Sequence, residues 1–467
     1  MTATLWTAKE AETAVGRAAG GNWRATGVAI DSRTVRSGDL FVAIVGDRLD
    51  GHDYVRQALD AGAAAALVHR PIEDVDRADA RLLMVDDTLR GLEALGRAAR
   101  TRTGARIAAI TGSVGKTGTK EMLRRALGAL APTHASEGNL NNHWGAPLSL
   151  ARLPRDAAYA VFELGMNHPG EIRPLTTMTR PDVAVITRIA PAHTAFFDTI
   201  EGVADAKAEI LEGVGPDGVA ILNADDPMTP RIARRAAELG VRTLTFGEAA
   251  SADFRLTALD LREDGSTVAA DVAGAGHTWR LGAPGRHWAM NSLAVAAAVH
   301  ALGGDVGRAM AALADMTPPA GRGARRRIAL ASGAFDLIDE SYNASPAAVR
   351  AAFQTLALAK PTSGGKRVVV LGDMLELGAR SAADHADLGQ AFVEARLDRA
   401  HAAGPECRNF MAALPEAARG HWAPDAAALA HHARDIARAG DVVLVKGSLG
   451  MGMARVVKAL EEAGRAV

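Results

Sequence analysis

RIAAITGSVGKTGTKEMLRRAL, residues 106–127, decides the fold. The apolar run from Ile107 to Ile110 reads as a buried strand, Thr111-Gly112-Ser113-Val114-Gly115-Lys116-Thr117 follows, and an amphipathic helix begins there. A strand that feeds a glycine-rich turn into a helix is how a chain builds a phosphate cradle. Glycines let backbone N–H groups turn inward, and the helix N-terminus adds partial positive charge. Lys116 is placed to reach the terminal phosphates of a nucleotide, and Thr117 to offer its hydroxyl to Mg²⁺. Ile110 stands six before Lys116, where the strict pattern has glycine. A tight turn with an incidental lysine is the competing reading, and the flanking strand and helix argue against it.

Such a loop serves kinases, hydrolases, switches and ligases alike, so neighbouring residues must choose the reaction. AYAVFELGMNHPGE (158–171) puts Glu163 at the end of an apolar strand, and DVAVITRIAPAHTAFF (182–197) puts His193 just past another. Ligands of open parallel sheets gather at the carboxyl ends of strands, so both side chains can converge on the loop as magnesium ligands. A lone carboxylate or imidazole at such a place is more often a cap or a structural group. Two of them beyond one phosphate loop favour the metal.

TIEGVADAKAEILEGV (199–214) reads as a helix whose apolar stripe, Ile200, Val203, Ile210 and Val214, is interrupted by Lys207. Asp198 and Glu201 predict an N-cap with a capping-box partner. An ammonium group in that slot either snorkels to water along its stem or is buried for a reason.

Farther out, short apolar runs alternate with amphipathic segments, the pattern of α/β domains. The 467 residues suggest about three of them. The expected units are an N-terminal α/β domain (1–85), a central P-loop domain with a parallel sheet (86–316) and a C-terminal Rossmann-like α/β domain (317–467). The second boundary falls in the proline-, glycine- and arginine-rich stretch TPPAGRGARRR (317–327). A net charge of −1 gives no general attraction to nucleic acid or membrane, so neither is an expected partner. The single cysteine, Cys407, suits a reducing compartment. MTATLWTAKE lacks the pattern of a signal peptide, and no stretch is apolar enough to span a bilayer, so a cytoplasmic protein is expected.

Taken together, these motifs resemble the Mur ligase family nearly end to end. DSRTVRSGDLFVAIVGDRLDGHDY (31–54) is similar to its N-terminal substrate signature, TGSVGKTGTK (111–120) to its ATP loop, and EGNLNNHWGAPLSL (137–150) to its asparagine-rich stretch. ELGMNHPGEI (163–172) resembles the magnesium strand and GRHWAMNSLAVAAA (285–298) the adenine-side segment. DESYNASP (339–346), LGDMLELG (371–378) and VKGS (445–448) follow in the family's order. Two of these, LGDMLELG and DESYNASP, favour the branch that adds D-alanyl-D-alanine to UDP-N-acetylmuramoyl-tripeptide. The DNPR motif of the diamino-acid-adding branch is absent.

The resemblance implies an ATP-dependent amide ligase of bacterial peptidoglycan synthesis, a monomer working with two Mg²⁺ ions. It implies that Lys207 is carbamylated and that the carbamate holds metal with Thr117, Glu163 and His193. Burial fits such chemistry, because it favours the neutral amine that attacks carbon dioxide. Gly112, Ser113, Val114, Gly115, Lys116 and Thr117 would hold the phosphates, His287 and Asn291 the adenine side. Glu340 and Tyr342 would approach the nucleotide from the third domain, and Arg322 would reach its phosphates on closure. Ser32 and Arg33 would meet the UDP-sugar, and Asn141 and Asn142 the muramoyl part. Lys116, Lys207, His193 and Arg322 are the implied catalytic set.

Several positions depart from the family pattern: Glu340 for aspartate, Ser345 for asparagine, His143 for glutamate or glutamine, and Leu449 and Ala454 for arginine and glutamate. Glu340 lengthens the expected nucleotide contact by one methylene, while Leu449 and Ala454 bear on the dipeptide contacts more than on ATP chemistry. The alternatives are a Mur-type ligase adding another amino acid, a folylpolyglutamate synthetase, against which the UDP-sugar signature argues, and an ATP-dependent switch that makes no bond.

Overall fold

The computed structural model describes residues 3–465 apart from 19, 74, 77–78, 191–196, 198 and 363. Four parallel strands, Gly27–Ala29, Asp39–Val42, Ala65–Val68 and Leu82–Met84, form the first sheet in chain order. A short antiparallel pair, Trp6–Thr7 with Arg24–Ala25, lies beside it. Asp87 caps the next helix, Thr88–Arg102, by accepting the Arg90 N–H at 2.9 Å. That helix packs against helix Gly145–Ala151 of the following unit. The Trp6 indole donates to the Ala151 carbonyl (2.8 Å) and Arg152 to that of Val28 (2.7 Å), so the first sheet is fastened to the second by buried polar contacts.

The middle sheet has nine strands. Seven run parallel, in the spatial order Phe254–Arg262, Arg242–Gly247, Val219–Asn223, Val183–Ile186, Arg106–Thr111, Tyr159–Glu163 and Thr133–Ala135. Their centre is apolar on both faces, as a helix-covered parallel sheet requires. Strands Gly265–Val272 and Ala275–Leu281 extend it antiparallel, so the expected parallel sheet carries an antiparallel wing. Helix Arg286–Ala301 is buried without a break from Ser292 to Val299, and its run of alanines lets it lie close to the sheet and to helix Lys116–Gly128.

The third sheet has six strands, in the order Ala324–Leu330, Gly333–Glu340, Val442–Lys446, Arg367–Gly372, Arg399–Ala403 and Arg419–Ala423. Only the first pair is antiparallel. Among the described residues no helix is long and apolar enough to cross a membrane.

Strand Arg106–Thr111 has neighbours on both sides that follow it in sequence. Ile110 pairs with Glu163 on one side and Thr111 with Ile186 on the other. The strand order reverses here, and the crevice beyond these strand ends is where an open α/β sheet binds ligands.

Candidate active site

The loop after Thr111 fits its cradle too closely for side chains. Gly112 has φ +145°, and a Cβ there would stand 2.1 Å from Thr187 Oγ1. That hydroxyl donates to the Val114 carbonyl (2.6 Å), while Ser113 donates its backbone N–H to the Arg188 carbonyl (2.8 Å) and its hydroxyl to that of Ala190 (2.9 Å). The stretch after strand Val183–Ile186 therefore buttresses the loop from outside. Gly115, at φ +90°, leads into helix Lys116–Gly128 and abuts the Asn291 amide, which would lie 3.0 Å from an added Cβ. Lys116 folds back, its ammonium donating to the Gly112 carbonyl at 2.6 Å.

Glu163 is buried and fully engaged. Its Oε2 accepts from the Thr117 hydroxyl at 2.7 Å and its Oε1 from the Asn141 amide at 2.8 Å. Its backbone N–H donates to Ser136 Oγ at 3.1 Å. Asn141 is set by its own backbone, whose carbonyl accepts the Gly165 N–H at 2.8 Å. Asn142 acts elsewhere, its Oδ1 accepting the Trp144 and Gly145 N–H groups (3.3 and 3.0 Å) at the start of helix Gly145–Ala151. The structure thus brings one of the paired asparagines into the acid cluster and uses the other as a turn.

Lys207 is 1% exposed, so the snorkelling reading is set aside. Its helix runs Ile200–Ala208 and then tightens into a 3₁₀ turn, Glu209–Gly213, which is shorter than the stripe predicts. Thr199, not Asp198, accepts the capping hydrogen bond, from Gly202 at 3.2 Å; Asp198 itself lies outside the described residues. Burial drives the Lys207 pKa well below the ordinary lysine range, and the Lys116 charge adds to this; Glu163, Glu171 and Glu209 pull the other way. Lys116 is lowered by burial and by Arg322, against the opposing pull of Glu163. Glu209 is buried as well, and its carboxylate accepts the Gly170 N–H at 2.6 Å and that of Arg173 at 3.1 Å, fixing the start of helix Ile172–Thr179. His193 lies outside the described residues.

The third sheet contributes from across the crevice. The Arg322 guanidinium stacks 4.3 Å over the Tyr342 ring. Glu340 pairs with Lys446 at 2.8 Å, and the same ammonium donates to the Asn343 carbonyl at 2.9 Å. Both charges act on the His287 imidazole, whose pKa burial lowers. Asp339 ties the segment down: it accepts the Gly321 N–H (3.1 Å), the Ser341 hydroxyl (2.6 Å) and the Arg326 guanidinium (3.1 Å). Ser32 and Arg33 are remote from this cluster in sequence, on the 3₁₀ turn Ser32–Thr34. Ser32 donates to Gln57 at 3.2 Å, and Arg33 forks onto Asp31 at 2.9 and 2.6 Å, which holds that carboxyl below its ordinary pKa.

Three participants escape sequence reasoning. Lys120, one turn past the loop, is completely buried and donates to the carbonyls of Ser136 (2.7 Å) and Gly138 (3.3 Å). It clamps the arm that carries Ser136 and Asn141 to Glu163. Lys446 sits inside the quoted VKGS motif, and Asp339 beside the expected Glu340. For each, the signal was a charge within an otherwise apolar or glycine-rich motif.

A phosphate loop at a switch point, an acid–hydroxyl pair beneath it and a second α/β body facing it define a multidomain P-loop nucleotide-binding protein. Residues 24–102 match the Mur ligase family catalytic domain, 110–299 the Mur ligase middle domain and 325–449 the Mur ligase glutamate ligase domain. The chain belongs to the Mur ligase family. It is 37% identical over 440 residues to the UDP-N-acetylmuramoyl-tripeptide–D-alanyl-D-alanine ligase of Escherichia coli (strain K12), covering 94% of each chain. To the Bacillus subtilis (strain 168) enzyme of the same name it is 34% identical over 444 residues, 93% of each. Among solved structures, MurF from Acinetobacter baumannii matches with TM-score 0.83 and 32% identity, over 98% of this chain and 99% of that one. MurF ligase from Thermotoga maritima in complex with ADP matches with TM-score 0.78 and 29% identity, over 94% and 98%.

Proposed function

We propose that this chain is the ligase that joins D-alanyl-D-alanine to UDP-N-acetylmuramoyl-tripeptide with hydrolysis of ATP, forming the pentapeptide precursor of peptidoglycan. The observation that carries the reading is the Thr117–Glu163–Asn141 cluster beneath the phosphate loop, in a chain similar over nearly its whole length to ligases of that name. A carboxylate is a poor electrophile, so the tripeptide's terminal carboxylate first takes the γ-phosphate of ATP. The amine of the dipeptide then attacks the acyl carbon, and the C–O bond to phosphate breaks. The products are the amide, ADP and phosphate.

The first step brings anions together, and neutralising that charge is the main catalytic requirement. Lys116 would leave the Gly112 carbonyl for the terminal phosphates, and Arg322, in the turn before the third sheet, would meet them from the other side. Thr117 and Glu163 supply hard oxygen donors that suit Mg²⁺, which when bound neutralises phosphate charge. Two such ions are expected, with His193 as a further ligand. Burial lowers the Lys207 pKa and so favours its neutral amine; addition of that lone pair to carbon dioxide would form an N–C bond, release one proton and leave a carbamate able to hold Mg²⁺. His287 and Asn291 flank the adenine side, with Glu340 and Tyr342 across from them. Ser32 and Arg33 address the UDP-sugar, and Asn141, with Asn142 shaping its turn, the muramoyl part.

In this reading residues 1–85 hold the UDP-sugar, 86–316 the ATP, and 317–467 close over both with D-alanyl-D-alanine. Closure keeps water from the acyl phosphate. The enzyme works as a monomer in the bacterial cytoplasm. Phosphate release measured with each component omitted in turn tests the proposal. Release that needs ATP, the UDP-tripeptide and the dipeptide together supports ligation. Release indifferent to the dipeptide points to a switch and overturns it.

A further inference from the structure

Outside the active site, two groups of described residues bring three ligand-type atoms within 4.8 Å of one another. The first, Asp373, His385 and Cys407, is closed to an ion. Asp373 accepts the Cys407 and Glu406 N–H groups (2.7 and 3.2 Å), and His385 accepts the Met374 N–H at Nε2 (3.0 Å) while Nδ1 faces the Ser381 carbonyl (2.7 Å). Cys407 Sγ points its hydrogen at the Leu371 carbonyl. Every donor atom of that group already holds a turn in place.

The second group, His421, His432 and Asp435, is open. No hydrogen bond or ion pair joins these three side chains to any described residue, and Asp435 is exposed. His421 lies on strand Arg419–Ala423, while His432 and Asp435 lie three residues apart around the start of the short helix Ala433–Ile436. The chain doubles back between them, and the two imidazoles stack 4.3 Å apart at 16°. Behind them His401, 1% exposed, accepts the His421 N–H at Nδ1 (3.0 Å) and so fixes the strand that carries His421. It comes this near because residue 420 is glycine; a Cβ there would be 2.5 Å from the ring. His401 Nε2 is buried with no partner. The half-exposed His421 and His432 rings leave their nitrogens open, and the buried His401 Nε2 lacks the partner that such an atom ordinarily finds.

We propose that His421, His432 and Asp435 form a binding site for a divalent transition-metal ion on the outer edge of the third sheet. Two imidazoles and a carboxylate select zinc, cobalt, nickel or copper over Mg²⁺ or Ca²⁺, which take oxygen ligands. Around zinc, metal–nitrogen distances of about 2.0–2.1 Å set tetrahedral ligand atoms about 3.4 Å apart. The three atoms stand within 4.8 Å, so side-chain rotation closes the gap, opening the ring stack as both lone pairs turn to one point. Water completes the shell. Three strands separate this edge from strand Gly333–Glu340, so the site is distinct from the one under the phosphate loop. The ion would fasten the unprotected edge strand to the helical segment that follows it.

The test is calorimetric titration of zinc into the EDTA-treated full-length chain, with excess Mg²⁺ present to occupy the oxygen-rich centre. The expected result is a single zinc per chain, weakened at least about tenfold in each of His421→Ala, His432→Ala and Asp435→Asn. The same zinc binds undiminished to Glu163→Gln, whose lesion lies in the other centre. Zinc should also raise the melting temperature of the wild-type chain and not that of His432→Ala, while ligation by His432→Ala stays normal. Absence of zinc binding to the wild-type chain at micromolar concentrations, or wild-type affinity in the three variants, overturns the proposal.

Discussion

Thr117 Oγ1 donates to Glu163 Oε2 across 2.7 Å, joining the first turn of the loop helix to the end of the neighbouring strand. The register of the sheet makes this contact, because Ile110 and Glu163 are direct partners and Thr117 follows one loop later. An alcohol and a carboxylate so placed set two hard oxygen donors side by side, the pair that the proposed function assigns to Mg²⁺.

Thr117→Ala removes one donor and leaves the loop backbone intact. Turnover should fall about 10²- to 10³-fold, the range for loss of one preorganised electrostatic group. The concentration of Mg²⁺ giving half-maximal rate should rise. Initial rates against Mg²⁺ check this, and an unchanged requirement would contradict the assignment.

Lys207→Ala should abolish ligation while the protein stays folded. With ¹³C-bicarbonate, a carbamate resonance is expected from the wild-type chain and not from the variant. Near-normal turnover by the variant would refute the role given to this amine.

The same lysine makes a pH prediction in buffer free of carbon dioxide. Its folded pKa is depressed, so between that value and the unfolded one, about 10.4, the unfolded chain binds more protons. Stability therefore rises with pH in this window and declines as pH falls through it. Lys207→Met should be the more stable chain, with an advantage that grows as pH is lowered below about 10. Urea midpoints at several pH values decide it.

Lys120→Met takes the donor from the buried Ser136 carbonyl, at a cost of about 1–3 kcal/mol for leaving it unsatisfied, and from the more open Gly138 carbonyl. More telling is the placement of Asn141. Freed from its clamp, the arm should raise KM for the UDP-tripeptide and lower kcat while leaving KM for ATP nearly unchanged. A purely structural role would lower the amount of active enzyme and move neither KM.

Arg322→Lys preserves charge but loses the planar stack on Tyr342. A cation–π contact of about 0.5–2 kcal/mol implies a rise of up to roughly thirtyfold in KM for ATP. Tyr342→Ala should produce a similar effect, and the double variant little more than either alone.

What could be read from the sequence was local. The phosphate loop announces itself because strand, glycines, lysine and helix are contiguous, and Glu163 because its strand is an unbroken apolar run. Lys207 was visible as a break in a periodic stripe. The rest depends on distance along the chain: the Lys446–Glu340 pair spans 106 residues, and the Thr117–Glu163 contact 46. Asn141 and Asn142 look equivalent in a sequence, yet one faces a carboxylate and the other a helix start, a difference that only the turn between them creates. The antiparallel wing beyond Phe254–Arg262 likewise depends on pairing across strands.

Lys116 and Arg322 bring positive charge to one crevice, where Arg322 weakens the hold of Lys116 on its proton and Lys116 that of Lys207. The crevice therefore works against itself, with the loop lysine leaning on a backbone carbonyl. The first molecule to enter relieves that tension in proportion to its charge. A triphosphate gains most from doing so, which gives the nucleotide electrostatic precedence over a zwitterionic dipeptide and makes the order of arrival a property of the pocket's own charges.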